Sequence, residues 1–119
     1  MQDFGMTSKE YRDKPILGDH PPVLMPGTLS GGNHVSGTVV GVVTATGVKV
    51  QLDPAGADGS ETAAAVLFGD LDASAGDEPG VFVEHGVVTD MYLTWPDGIT
   101  VNEKAAAVAQ LKAAGIYVK

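Results

Sequence analysis

Between residues 36 and 52 the chain alternates in the manner of a sheet. "SGTVVGVV" (36–43) is β-branched and punctuated by glycine, while "GVKVQL" (47–52) sets an apolar side chain at every second position. With "TAT" between them, the two segments predict a hairpin. "TAAAVLFG" (62–69) is a short apolar run bounded by turn residues and predicts a buried strand. "VFVEHGVVT" (81–89) predicts a further strand with a bulge or bend at Gly86, and "DMYL" extends it. Between these runs lie two loops dense in turn and acidic residues, "DPAGADGSE" (53–61) and "DLDASAGDEPG" (70–80).

The period changes after residue 95. Trp95-Pro96-Asp97-Gly98 fits a type I turn, with proline second and glycine fourth. Thr100 and Glu103 make a capping box, so Thr100 is the expected N-cap. Val101, Ala105, Val108 and Leu111 form a narrow apolar stripe, with Glu103, Lys104, Gln110 and Lys112 away from it. Gly115 sits where a left-handed C-terminal residue belongs, and Ile116 where a Schellman motif packs back on Leu111. The pattern predicts one helix over about 101–114 and a short final strand, "IYV".

Residues 1–34 show neither period. Pro15, Pro21, Pro22 and Pro26, with "GDHPP", "MPG" and "SGGN", signal turns and extended chain. Ile16, Leu17, Val23, Leu24 and Met25 nevertheless make the segment apolar. The reading is an extended N-terminal arm over 1–20 and a single β-rich domain over 21–119, the alternative for the arm being a terminus without fixed structure. The fold class is mostly β with one C-terminal helix, and 119 residues fit one domain.

Composition sharpens this picture. Sixteen glycines and seven prolines, spread along the chain, favour many turns and short elements. The absence of cysteine removes disulfides, thiol catalysis and cysteine-based zinc sites together. The net charge is −8. Residues 1–14 balance Asp3, Glu10 and Asp13 against Lys9, Arg12 and Lys14, so all of it falls on the remainder, where Lys49, Lys104, Lys112 and Lys119 oppose 12 acids. A phosphate backbone would repel such a body, which counts against direct nucleic-acid binding. No run approaches the ~18 apolar residues of a membrane span. No apolar segment follows the charges of "MQDFGMTSKEYRDK", so a secretory leader is not expected.

The search for chemistry finds little. His20, His34 and His85 stand far apart, none with a second histidine at ligand spacing. G-x-S-x-G, P-loop and H-E-x-x-H motifs are absent. The best metal lead is "DLDASAGDE", where Asp70, Asp72, Ser74, Asp77 and Glu78 offer oxygen ligands as an EF-hand loop does. Its sixth position is Ala75 in place of glycine and its twelfth is Val81 in place of glutamate, so a solvent-exposed turn is the better reading. No pair of carboxylates is singled out for acid–base work.

The segment "DGSETAAAVLFGDLDA", the turn "LTWPDG" and the ending "EKAAAVAQLKAAGIYVK", in that order, resemble the phage head decoration proteins, the family of the lambdoid capsid-stabilising protein D. The resemblance spans roughly residues 52–119, and "MTSKE" (6–10) also resembles the start of a member. "GTLSGGNHVSGTVVGVVTATG" (27–47) does not align with the family pattern, so arm contacts are inferred by position and chemistry. The resemblance implies a β-clip-like domain and a homotrimer at three-fold sites of the expanded phage head. It implies binding to the major capsid protein on the outer surface of the virion, after a stage in the host cytoplasm. It also implies reinforcement of the shell against genome pressure, with no enzymatic activity and no cofactor. Phe4, Tyr11, Ile16 and Leu17 are then candidate anchors of a capsid-binding arm, and Trp95 and Pro96 a possible contact between subunits, unless the indole packs within its own chain. Two other readings stay open: a β-rich binding module or virion-surface adhesin that recognises a carbohydrate or protein through its acidic loops, and a small enzyme with an unrecognised carboxylate site.

Overall fold

The computed structural model describes residues 22–119, so the arm over 1–20 lies outside the described residues. Eight strands and one helix follow in order. They are β1 (Val23–Leu29), β2 (Gly32–His34), β3 (Val39–Val42), β4 (Lys49–Gln51), β5 (Ala65–Leu67), β6 (Leu71–Ala73), β7 (Glu78–Val88), α1 (Val101–Ala114) and β8 (Ile116–Val118). The main sheet runs β1-β4-β3-β5-β7-β8, and an added β1–β7 pairing curls its first five strands into a small barrel. β2 and β6 form a separate two-stranded ribbon.

Register explains how so short a chain builds a core. Val39 lies opposite Val66, and Val66 opposite Val83, so the three share one face of the sheet. That face meets Leu93 and, from the helix, Ala107 and Leu111, with Ile116 beside them. Their neighbours one residue along, Val40, Ala65, Leu67 and Phe82, point the other way and fill the barrel with Leu29 and Ala73. A continuous apolar run such as 65–67 is therefore covered on both sides. Lys49 closes over the barrel filling: its Nζ stands 5.0 Å from the Phe82 ring centroid and 3.3 Å from a Glu84 carboxylate oxygen.

β7 is the spine. Its first part pairs with β1 as far as Val23–His85, and from Gly86 onward it pairs with β8. Gly86 marks the change of partner with φ 135°, and an added Cβ would sit 3.1 Å from the Pro22 backbone. The register irregularity itself falls two residues earlier, at Glu84, which the pairing with β1 skips, while Gly86 is kept without a side chain by its positive φ and by Pro22.

The predicted hairpin forms as β3 and β4, and the capping box is complete: Glu103 N–H donates to Thr100 Oγ1 and Thr100 N–H to Glu103 Oε1. Gly115 is left-handed at φ 98° and donates to the Leu111 and Lys112 carbonyls, ending the helix as expected.

Four expectations need correction. Residues 23–29 form a seven-residue strand although their pattern shows no period, because β1 leaves apolar side chains exposed and contains Pro26 and Gly27. "DMYL" does not extend β7: Asp90–Tyr92 wind into a 3-10 turn. The tight turn is shifted by one residue, since Ile99 N–H donates to the Pro96 carbonyl and Gly98, at φ 77°, takes the third position. A positive φ there belongs to a type II turn, not type I. Lastly, the helix buries Ala107 and Leu111, while Val101 is 85% exposed and Ala105 lies in solvent. Gln110, expected to face away, accepts the Ala63 N–H at 2.8 Å and ties the helix to the segment that leads into β5.

Phe82 fills the barrel at the strand on which both cores meet. Phe82→Ala should lower the unfolding free energy by about 3–5 kcal/mol in a denaturant titration. A loss below 1 kcal/mol would mean that the barrel interior does not hold the fold together.

Candidate functional site

Three surfaces carry the residues singled out by the sequence. The first is the turn at Trp95. Thr94 N–H donates to the Gly37 carbonyl and Val39 N–H to the Thr94 carbonyl, so this loop is stitched to the start of β3. Trp95 is thereby held half-buried against the helix-side core. Lys104 Nζ stands 5.4 Å from the indole centroid and 3.4 Å from the Asp90 carboxylate, so one lysine joins the 3-10 turn, the indole and α1. The exposed ion pair contributes about 0–1 kcal/mol, and a cation over an aromatic face adds a comparable amount. Lys104, expected on the solvent side, is a tie between elements. The indole Nε1 is buried without a hydrogen-bond partner. Pro96 is half-buried beside it.

Beneath this turn an open cleft of about 790 Å³ runs between the 50–60 loop and the 94–99 turn, with Asp53, Asp58, Asp97 and Glu103 among its lining residues. The acidic loops form the second surface, and they use their carboxylates internally. Asp58 accepts the backbone N–H and hydroxyl of Ser60, and Asp72 does the same for Ser74. The serine hydroxyls, followed by the backbone N–H groups, hold both carboxyls below the usual carboxylate range. Asp70 accepts the Ser36 N–H, Asp53 that of Ala55, and Glu61 that of Gly59. Asp53, Asp58 and Asp72 thus make Asx-type closures of their own loops, while Asp70 ties its loop to the segment before β3. Among the described residues no three histidine, aspartate or glutamate side chains converge as a metal-holding group. His34 bonds the Gly31 carbonyl, His85 lies under Gly115, and His20 is outside the described residues.

The third surface is the start of β1. Phe4, Tyr11, Ile16 and Leu17 lie outside the described residues, but the chain that carries them joins the fold at Pro22. From there Val23, Leu24 and Met25 run on with their side chains exposed.

The family model for bacteriophage lambda head decoration protein D matches residues 25–116. The chain belongs to this family. The match takes in most of β1 and all of β2 through β4, so it reaches well upstream of the segment whose motifs carry the resemblance. "GTLSGGNHVSGTVVGVVTATG" lies inside it, which corrects the expectation that this stretch falls outside the family pattern. The arm over 1–20 lies before the match. No curated protein matches the chain. Membership makes this a structural component of a phage head, associated with the capsid of the virion; the family is not a class of enzymes.

With the indole packed on its own chain's core, Trp95→Ala should cost about 3 kcal/mol of stability. Thermal unfolding followed with analytical ultracentrifugation checks this. A variant that keeps its stability but loses self-association would place Trp95 between subunits instead.

Proposed function

We propose that this decoration protein binds as a trimer at the three-fold sites of the expanded phage head and stabilises the shell against the pressure of the packaged genome. It acts on the outside of the virion, after folding in the host cytoplasm, and needs neither cofactor nor chemistry. The observation that carries this reading is the family match over residues 25–116, which runs from within β1 to the first residue of β8 and takes in the helix.

The physical picture follows from the two parts of the chain. Residues 1–20 act as an arm that adds to a sheet edge of the major capsid protein, where backbone hydrogen bonds supply adhesion and alternate side chains supply register. Phe4, Tyr11, Ile16 and Leu17 are its apolar anchors. Ordering such a segment costs several kcal/mol, so one arm binds weakly. Three arms on one trimer raise the effective concentration and make attachment firm. A site completed only by expansion favours the expanded shell by mass action. The acidic body keeps free copies soluble and apart from the genome.

Co-sedimentation with empty heads tests this reading. The full-length chain should saturate expanded shells and ignore unexpanded ones, and removal of residues 1–20 should weaken binding at least tenfold. Equal affinity for both kinds of shell would refute the expansion dependence. Absence of binding by the folded full-length protein would refute the decoration role.

A further inference from the structure

The outer face of the sheet is covered unevenly. Over Val39, Val66 and Val83 it carries the helix-side core. Along β1 and β7 it continues beyond that cover. Leu24 lies opposite Val83, Pro26 opposite Val81, and Thr28 opposite Pro79. Directly opposed residues of antiparallel strands point to the same side, so Leu24, Pro26, Thr28, Pro79 and Val81 share the face of Val83. Val83 is fully buried, yet Leu24 is 36% and Val81 39% exposed, with Pro26, Thr28 and Pro79 also in solvent. The five residues form a contiguous, almost wholly apolar strip, and strips of this kind mark interaction sites.

What would cover it follows from where the rest of the chain enters. Residues 1–21 reach the fold at Pro22, two positions before Leu24. An extended chain spans about 3.3–3.6 Å per residue, which puts Leu17 within about 25 Å of Leu24. A surface that receives Leu17 therefore lies within that tether length of the strip. The strip has no formally charged residue in a chain of net charge −8, so it can be covered without desolvating an ion. Pro26 and Pro79 lack N–H groups, and the strip is a sheet face, not an edge. Contact there is side-chain packing, which complements the backbone pairing of an arm.

We propose that the β1–β7 face is a second attachment surface for the shell, covered by an apolar patch of the major capsid protein when the arm engages. This rests on the decoration reading. The arm and the face are then two linked contacts on one partner. Each raises the effective concentration of the other, so neither needs high affinity alone.

The test is Val81→Asp in the full-length chain, a charge placed at the centre of the strip. Binding of fluorescently labelled protein to expanded empty heads is measured beside wild type, with sedimentation velocity and thermal unfolding recorded off the shell. The expected result is at least tenfold weaker shell binding with unchanged oligomeric state and melting temperature. Val81→Thr, which keeps β-branching and shape, guards against misfolding and should weaken binding severalfold. Unchanged shell affinity in both variants would overturn the proposal. Dissociation into smaller species off the shell would also overturn it, by assigning the strip to a second copy of this chain. Failure of wild type itself to bind is a different outcome, which removes the decoration reading and this proposal with it.

Discussion

The structure depends on burying β7 from both sides at once. Phe82 and Val83 are adjacent, fully buried, and point into different cores. One fills the barrel formed with β1, β3, β4 and β5; the other meets the helix. A domain of this size has little apolar surface to bury, and using both faces of one strand doubles what each residue of sheet contributes. The remaining features follow from that arrangement. β7 exchanges β1 for β8 along its length, and the exchange falls at Gly86, whose positive φ favours glycine. The helix must return over the outer face, which requires a firm start at Thr100 and a firm stop at Gly115.

Elements set by local chemistry were legible in the sequence: the capping box, the C-terminal glycine, the hairpin and the buried run at 65–67. What was not legible depended on contacts made far away in the chain. β1 hides because a strand inside one sheet needs no alternation if most of its side chains stay exposed, and Pro26 argues against a strand wherever neighbours are unknown. The helix stripe was displaced because the face turned to Val39, Val66 and Val83 runs through Ala107 and Leu111 in place of Val101 and Ala105, and Lys104, one turn before Ala107 on that side, comes to lie by Trp95 and Asp90. The turn after Trp95 moved by one residue because Gly98, at φ 77°, takes the third position, where a type II turn favours glycine, and the closing bond then runs from Ile99 to Pro96. The Asp70–Glu78 segment, an acidic loop by composition, contains β6, whose pairing with β2 no local pattern announces.

Function was legible only through family likeness, and there is a physical reason. A protein that acts by adhesion needs no convergent polar constellation, so its sequence carries no catalytic signature. Among the described residues, Asp53, Asp58 and Asp72 close loops, His34 bonds a backbone carbonyl, His85 lies under Gly115, and the indole packs inward. What remains for recognition is an arm, a bare sheet face and an excess of negative charge. Those are features of distribution, not of motif. The family match covers the folded body, while the arm before it is read from its chemistry alone.

The central claim is that the chain grips the shell through its N-terminal side. An electron cryo-microscopy reconstruction of expanded heads saturated with the protein tests this most directly. The account predicts trimeric density at the three-fold positions, with residues 1–21 traced into a sheet of the major capsid protein and the β1–β7 face turned toward the shell. Density attached instead through the acidic loops, with β1 and the arm pointing outward, would contradict it.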